Sequence, residues 1–142
     1  MTMHKSVVLP DGIIIPSSTN FLADVDLFLE NRLSGYGVDP GVMTDIAISV
    51  SELVNNAIIH GNKLDISKRV DIRFRVTASE VRVTVSDEGN GFDYQAVKSP
   101  VADDNLLKEV GRGLFIVKNF VDEVFVGKNP HGGTCVEIVK KR

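Results

Sequence analysis

Apolar residues recur along the chain in two rhythms. Phe21, Leu22, Val25, Phe28, Leu29 and Leu33 fall three to four apart, which puts them on one face of a helix. Pro16-Ser17-Ser18 offers its start, and Gly35 and Gly37 its stop. Val42, Met43, Ile46, Val50, Leu53, Val54, Ala57 and Ile58 keep the same rhythm for about five turns. Asp39-Pro40 precedes them, an N-cap acid followed by a proline suited to the first helical position, and Gly61 ends this second helix. Elsewhere the rhythm is alternation. Val70, Ile72, Phe74 and Val76 alternate with Asp71, Arg73 and Arg75, and Val81, Val83 and Val85 with Arg82, Thr84 and Ser86. These are two strands, each with one face for a core and one for water. Lys5 to Pro16 reads as a hairpin around Asp11-Gly12. Leu114 to Val121 is helical again, and Val124 to Val126 and Thr134 to Val139 read as two last strands around a turn at Lys128 to Gly133.

Between Asp87 and Gly113 both rhythms give way to glycines, charges and Pro100, with a short helix expected near Asn105 to Val110. A connection of this length inside a compact domain is a functional lid or a disordered segment. The order β-β-α-α-β-β-lid-α-β-β predicts an α+β fold: a two-layer α/β sandwich, its sheet mixed but mostly antiparallel, with helices on one face. At 142 residues the chain is expected to form one domain, 1–142.

Charge and cysteine content narrow the function. The net charge is −3, which weakens any general nucleic-acid or anionic-membrane role. With Cys135 the one cysteine, there is no intrachain disulfide and no structural zinc motif. The early apolar run Val7-Val8-Leu9 is too short for a signal peptide, and nowhere do eighteen apolar residues run together, so the expected location is the cytoplasm.

Candidate chemistry begins on the second helix. Glu52 and Asn56 are four apart and share a face of a largely apolar helix. Either they form a site, with the Asn56 amide oxygen ligating a hard cation and Glu52 accepting a proton, or they are a solvated stripe or an internal hydrogen-bonded pair. Asp87-Glu88-Gly89-Asn90-Gly91 follows a strand: an acid with alternating glycines that let a ligand approach the backbone. Gly111-Arg112-Gly113 is expected to open a helix at about Leu114, where free N–H groups would make an anion site. Gly132-Gly133-Thr134 opens the last strand. Each glycine pair alone is equally well a tight structural turn.

In this order the four segments resemble the ATP-binding domain shared by gyrase-type ATPases, heat-shock protein 90, histidine kinases and mismatch-repair ATPases, the GHKL or Bergerat fold. The likeness covers nearly all of Pro16 to Val139. The compact chain, with Ser51-Glu52-Leu53-Val54-Asn55-Asn56-Ala57-Ile58-Ile59-His60-Gly61 and Asn105-Leu106-Leu107-Lys108, is most similar to the anti-sigma-factor serine/threonine protein kinases, the RsbW and SpoIIAB group.

The resemblance implies a set of roles. Asp87 would accept from the adenine amino group, Gly89 and Gly91 would admit the base, and Thr134 would support it. Asn56 would bind Mg²⁺ beside ATP. Gly111, Gly113 and the helix from Leu114 would hold phosphates, with Lys108 and Arg112 either adding charge there or standing as solvated lid residues. Glu52 would be the general base. Histidine-kinase domains usually carry Asn at that position, and a serine hydroxyl gains from a base that a neutral histidine acceptor does not need.

The implied function is an ATP-dependent kinase that phosphorylates a serine of an anti-sigma-factor antagonist and binds a sigma factor. Protein contacts are expected through the first helix and the Val7/Ile13 hairpin, with a homodimer an open possibility. The alternatives are a nucleotide-dependent binding regulator without turnover and a detached histidine-kinase domain.

Overall fold

The computed structural model describes residues 4–89 and 105–142, the side chains of 105–109 excepted. Six strands form one sheet: β1 (Val7–Leu9), β2 (Gly12–Pro16), β3 (Arg69–Val76), β4 (Glu80–Ser86), β5 (Glu123–Lys128) and β6 (Thr134–Lys141). Their order is β1-β2-β3-β4-β6-β5, and all five ladders are antiparallel, so the described sheet has no parallel pair. Three α-helices accompany it: α1 (Leu22–Gly35), α2 (Pro40–Asn56) and α3 (Asn105–Phe120).

The alternation of the strands sorts their side chains cleanly. Ile13, Ile15, Val70, Ile72, Phe74, Val81, Val83, Val85, Val136 and Ile138 are buried on one face. They meet Val25, Phe28, Leu29 and Leu33 of α1, Ile46, Val50, Leu53 and Val54 of α2, and Val110, Leu114 and Val117 of α3 in a single core. The opposite face is polar. There Arg73 pairs with Asp71 and Asp11, and Arg82 with Glu80 and Glu137. This is the two-layer α+β arrangement.

Several boundaries differ from the sequence reading. The first turn is Pro10-Asp11, and Gly12 already pairs with Arg73 on β3. A Cβ at Gly12 would lie 2.3 Å from the Ile72 carbonyl oxygen, so close strand approach is the reason for the glycine. A 3₁₀ turn, Thr19–Phe21, precedes α1 under the Ser18 side chain, which accepts from the Asn20 N–H. Asp39 caps α2 as expected, accepting from the Gly41 N–H at 3.0 Å.

Two departures concern the site. First, α2 does not end plainly at Gly61 but continues as a π-helical turn, Ala57–Gly61. Such insertions concentrate at functional sites. Pro40–Gly61 is thus 22 residues long, and an 18-residue stretch within it has a mean hydropathy of 1.3, yet Ile46, Val50, Leu53, Val54 and Ile58 all lie in the core, as a central helix requires. Second, α3 begins at Asn105, so Gly111, Arg112 and Gly113 are in mid-helix and do not open it. Glycine costs helix stability, but Val110, Leu114 and Val117 on either side of the pair are buried, and that burial wins. Of the expected lid between Asp87 and Gly113, residues 90–104 lie outside the described residues.

Candidate functional site

Glu52 and Asn56 stand on the face of α2 that meets α3. Asn56 is 8% exposed, and its Nδ2 is buried with no hydrogen-bond partner among the described residues. A buried amide hydrogen without an acceptor is costly, of order 1–3 kcal/mol. That rules out the self-satisfied internal pair and leaves an amide kept for another group. Gly113 packs directly over it. A Cβ at 113 would lie 2.9 Å from Asn56 Nδ2, 3.3 Å from Glu52 Oε2 and 3.6 Å from Asn56 Oδ1. The absent side chain at 113 is what allows α3 to close on these two residues.

Asp87 follows β4 and is 7% exposed. Its Oδ1 accepts from the Gly89 N–H at 2.9 Å and the Thr134 N–H at 3.0 Å. Oδ2 has no hydrogen-bond partner among the described residues and faces Gly61. Burial holds the carboxyl above its ordinary value, against the two N–H donors and the more distant Lys68 charge, which pull it down. The loop is tied further by the Asp87 N–H, which donates to the Thr134 carbonyl, and by Asn129 Nδ2, which donates to the carbonyls of Asp87 and Thr134.

Leu53, Asn56, Ala57, Val85, Asp87, Thr134 and Val136 line one cavity between α2 and the sheet. Its volume is about 10 Å³, room for one water, against roughly 300–1,000 Å³ for a small-molecule pocket. Among the described residues the site is assembled around a space too small for a nucleotide. Larger hollows of about 490 and 660 Å³ lie over the ion-paired outer face of the sheet; neither is lined by Asn56, but the larger reaches Asp87 and Glu88.

The structure therefore brings Glu52, Asn56, Asp87, Gly89, Gly113 and Thr134 together. Leu114 is in the core beside them, Gly111 is half-buried and Arg112 is exposed. The N–H groups of Gly111 and Gly113 are internal to α3 and form no open anion site in this arrangement, which corrects that expectation. Gly91 and the Lys108 side chain lie outside the described residues.

Gly61 and Asn62 were not expected at the site, and Gly133 only as part of the Gly132-Gly133-Thr134 segment. Gly61 had been given only the role of helix stop, but a Cβ there would come 2.3 Å from Asp87 Oδ2. A Cβ at Gly133 would come 1.9 Å from the Asp87 carbonyl oxygen. Asn62, 1% exposed, accepts from the Glu88 N–H at 2.9 Å. Beyond it Lys63 and Leu64 hold φ of 53° and 60°, non-glycine residues in the left-handed region, at a cost of order 1–3 kcal/mol each. A sharp turn right after the π-helical segment was readable from Gly61-Asn62, but not what it supports.

The profile of the histidine kinase-like ATPase domain matches residues 15–140. The chain belongs to that family. It is 32% identical over 133 residues to serine-protein kinase RsbW of Staphylococcus aureus, covering 89% of this chain and 82% of the relative. The same protein from strain JH9 is 31% identical over the same lengths. Within the family the chain is of the RsbW type, a protein serine/threonine kinase. Solved structures agree on the fold. The RsbU and RsbW domains of Rv1364c from Mycobacterium tuberculosis superpose with a TM-score of 0.61 at 23% identity. The match takes in 99% of this chain but only 33% of that longer one. The SiaB-SiaC complex from Pseudomonas aeruginosa gives 0.57 at 16%, covering 98% and 92%.

Proposed function

We propose that this kinase transfers the γ-phosphoryl group of ATP to a serine of a small anti-sigma-factor antagonist, and that it holds a sigma factor in a nucleotide-dependent way. The observation that supports it best is the single cavity into which Asn56, Asp87 and Thr134 converge from α2, β4 and β6. The catalytic carboxylate Glu52 sits one helical turn from Asn56.

In this reading Asp87 Oδ2 accepts from the adenine amino group while Oδ1 stays bound to Gly89 and Thr134. Thr134 and Gly91 line the base. The residues present suit a magnesium ion: the amide oxygen of Asn56 is a hard oxygen donor, and its Nδ2, with no acceptor among the described residues, would be left to donate to a phosphate oxygen. When bound, Mg²⁺ supplies charge neutralisation and alignment of the phosphates. Glu52 takes the proton of the serine hydroxyl, the serine oxygen bonds to the γ-phosphorus, and the bond to the β-phosphate oxygen breaks to release ADP. Gly111, Gly113 and Leu114 face the phosphates after α3 draws back from Asn56, with Lys108 and Arg112 as nearby cations. With about 10 Å³ between these residues, a nucleotide would need that space to widen.

The sequence likeness to serine-protein kinase RsbW supports serine as acceptor. A cytoplasmic location and regulation through protein contacts, without direct nucleic-acid or membrane binding, accord with the net charge of −3. For partners the open surface offers Leu27 on α1 and Val7 and Val8 on β1, which are 60%, 50% and 55% exposed. Most other apolar residues of α1 are core. A sigma factor or a second copy is the proposed occupant of that surface.

The deciding experiment is incubation with labelled ATP and a candidate antagonist, followed by pull-down with ATP, ADP or no nucleotide. Acid-stable phosphate on serine and nucleotide-dependent capture are expected. Phosphate on histidine, or capture indifferent to nucleotide, defeats the reading.

A further inference from the structure

We infer that Asn62 is a positioning residue that sets adenine selectivity by holding the Asp87 loop; this rests on the adenine role given to Asp87 above. Every hydrogen-bonding group of the Asn62 side chain is committed. Nδ2 donates to Ser17 Oγ at 2.7 Å and to the Arg69 carbonyl at 3.0 Å, while Oδ1 accepts from the Glu88 N–H at 2.9 Å. The amide thus joins the end of β2, the start of β3 and the residue next to Asp87.

Its anchors are themselves fixed. Ser17, 1% exposed, donates its hydroxyl to the Lys68 carbonyl at 2.7 Å. The Arg69 N–H donates to the Glu88 carboxylate. Arg69, Glu88 and Asn62 therefore close a triangle of hydrogen bonds beneath the loop. The π-helical turn makes this reach possible, because the Asn62 N–H returns to the carbonyl of Ala57, five residues back. In an unbroken α-helix the side chain would be rotated by about 100° per residue of slippage, away from Glu88. Asn62 touches none of the nucleotide-facing atoms. It acts by fixing Glu88, so that Asp87 presents Oδ2 in one direction.

The test compares ATP with purine riboside triphosphate, which lacks the amino group that Asp87 would recognise. Calorimetric binding is measured on the full chain, with thermal melts to establish that each variant is folded. The unmutated protein is expected to prefer ATP by about 10–100-fold, the worth of one hydrogen bond to a charged acceptor. In Asn62→Ala that preference should fall to about threefold or less, with ATP affinity reduced and the analogue's nearly unchanged, a coupling that simple destabilisation does not produce. If Asn62→Ala does not fold, Ser17→Ala, which removes one anchor of the amide and leaves two, should lower the preference about threefold. Equal affinity for both nucleotides in the unmutated protein overturns the adenine role of Asp87 and this inference with it. A preference that is present there and persists undiminished in the folded variant overturns the role of Asn62 alone.

Discussion

Gly113 of α3 rests on Asn56 of α2 so closely that a methyl group at 113 would sit 2.9 Å from the Asn56 amide nitrogen. Gly113→Ala sets two effects against each other. Alanine improves the helix by about 1 kcal/mol, and its methyl must push the Asn56 amide aside. Thermal stability should therefore change by no more than a few degrees, while Mg-ATP affinity falls about tenfold. Melting curves and calorimetry on the same preparation check both halves.

Glu52→Gln preserves shape and removes the carboxylate proposed to accept the serine proton. Turnover should drop by roughly 10²–10⁴-fold with ATP binding retained. Asn56→Ala should act differently, weakening the response to magnesium. Single-turnover phosphorylation over a magnesium titration separates the two variants.

Asp87 gives a pH prediction with a definite sign. Burial raises its folded value above the ordinary 3.8. The folded protein takes up this proton at a higher pH than the unfolded chain does, so ionised Asp87 costs stability at neutral pH. That cost disappears as pH falls through the raised value. Asp87→Asn should accordingly raise the melting temperature at pH 7, with a smaller gain in acid, while weakening ATP binding tenfold or more. The parent's ATP affinity should also decline in acid earlier than an ordinary aspartate would dictate. The variant, which lacks that decline, corrects for titration of the nucleotide itself.

Gly61 and Gly133 both crowd Asp87, with unlike consequences. A methyl at 61 meets a carboxylate oxygen at 2.3 Å, which can swing away; a methyl at 133 meets the Asp87 backbone carbonyl at 1.9 Å, which cannot. Gly61→Ala should lose ATP affinity at least tenfold with a modest stability change. Gly133→Ala should destabilise by about 1–3 kcal/mol or more, read from urea midpoints.

Much of this was legible in the residue pattern because burial enforces period. The faces of α1 and α2 and the alternation of β3, β4 and β6 are set by which side chains leave water, so they read directly. Glu52 and Asn56 stood out as polar groups on a largely apolar helix, and Asp87 as an acid at a strand end before alternating glycines. What escaped was decided by tertiary fit. Gly111 and Gly113 look like a helix start, and only the packing of Val110 and Leu114 keeps them helical. The π-helical turn changes register by one residue without altering composition. Asn62 is a short polar residue after a glycine, ordinary in any turn until its three partners, up to 45 positions away, are seen.

The neighbours β4 and β6 are separated along the chain by all of α3 and β5, so the bond from Thr134 to Asp87 spans 47 residues. Closing a loop of this length costs more entropy than closing a hairpin, and folds rich in such long-range contacts fold more slowly. We predict that the clamp on Asp87 is completed late, after the β3–β4 hairpin and α2 are in place, so that Thr134→Ala should give a φ-value near 0. A nucleotide seated there has nothing to hold in the folding transition state. It lengthens the lifetime of the finished protein by slowing unfolding and leaves the rate of folding as it was.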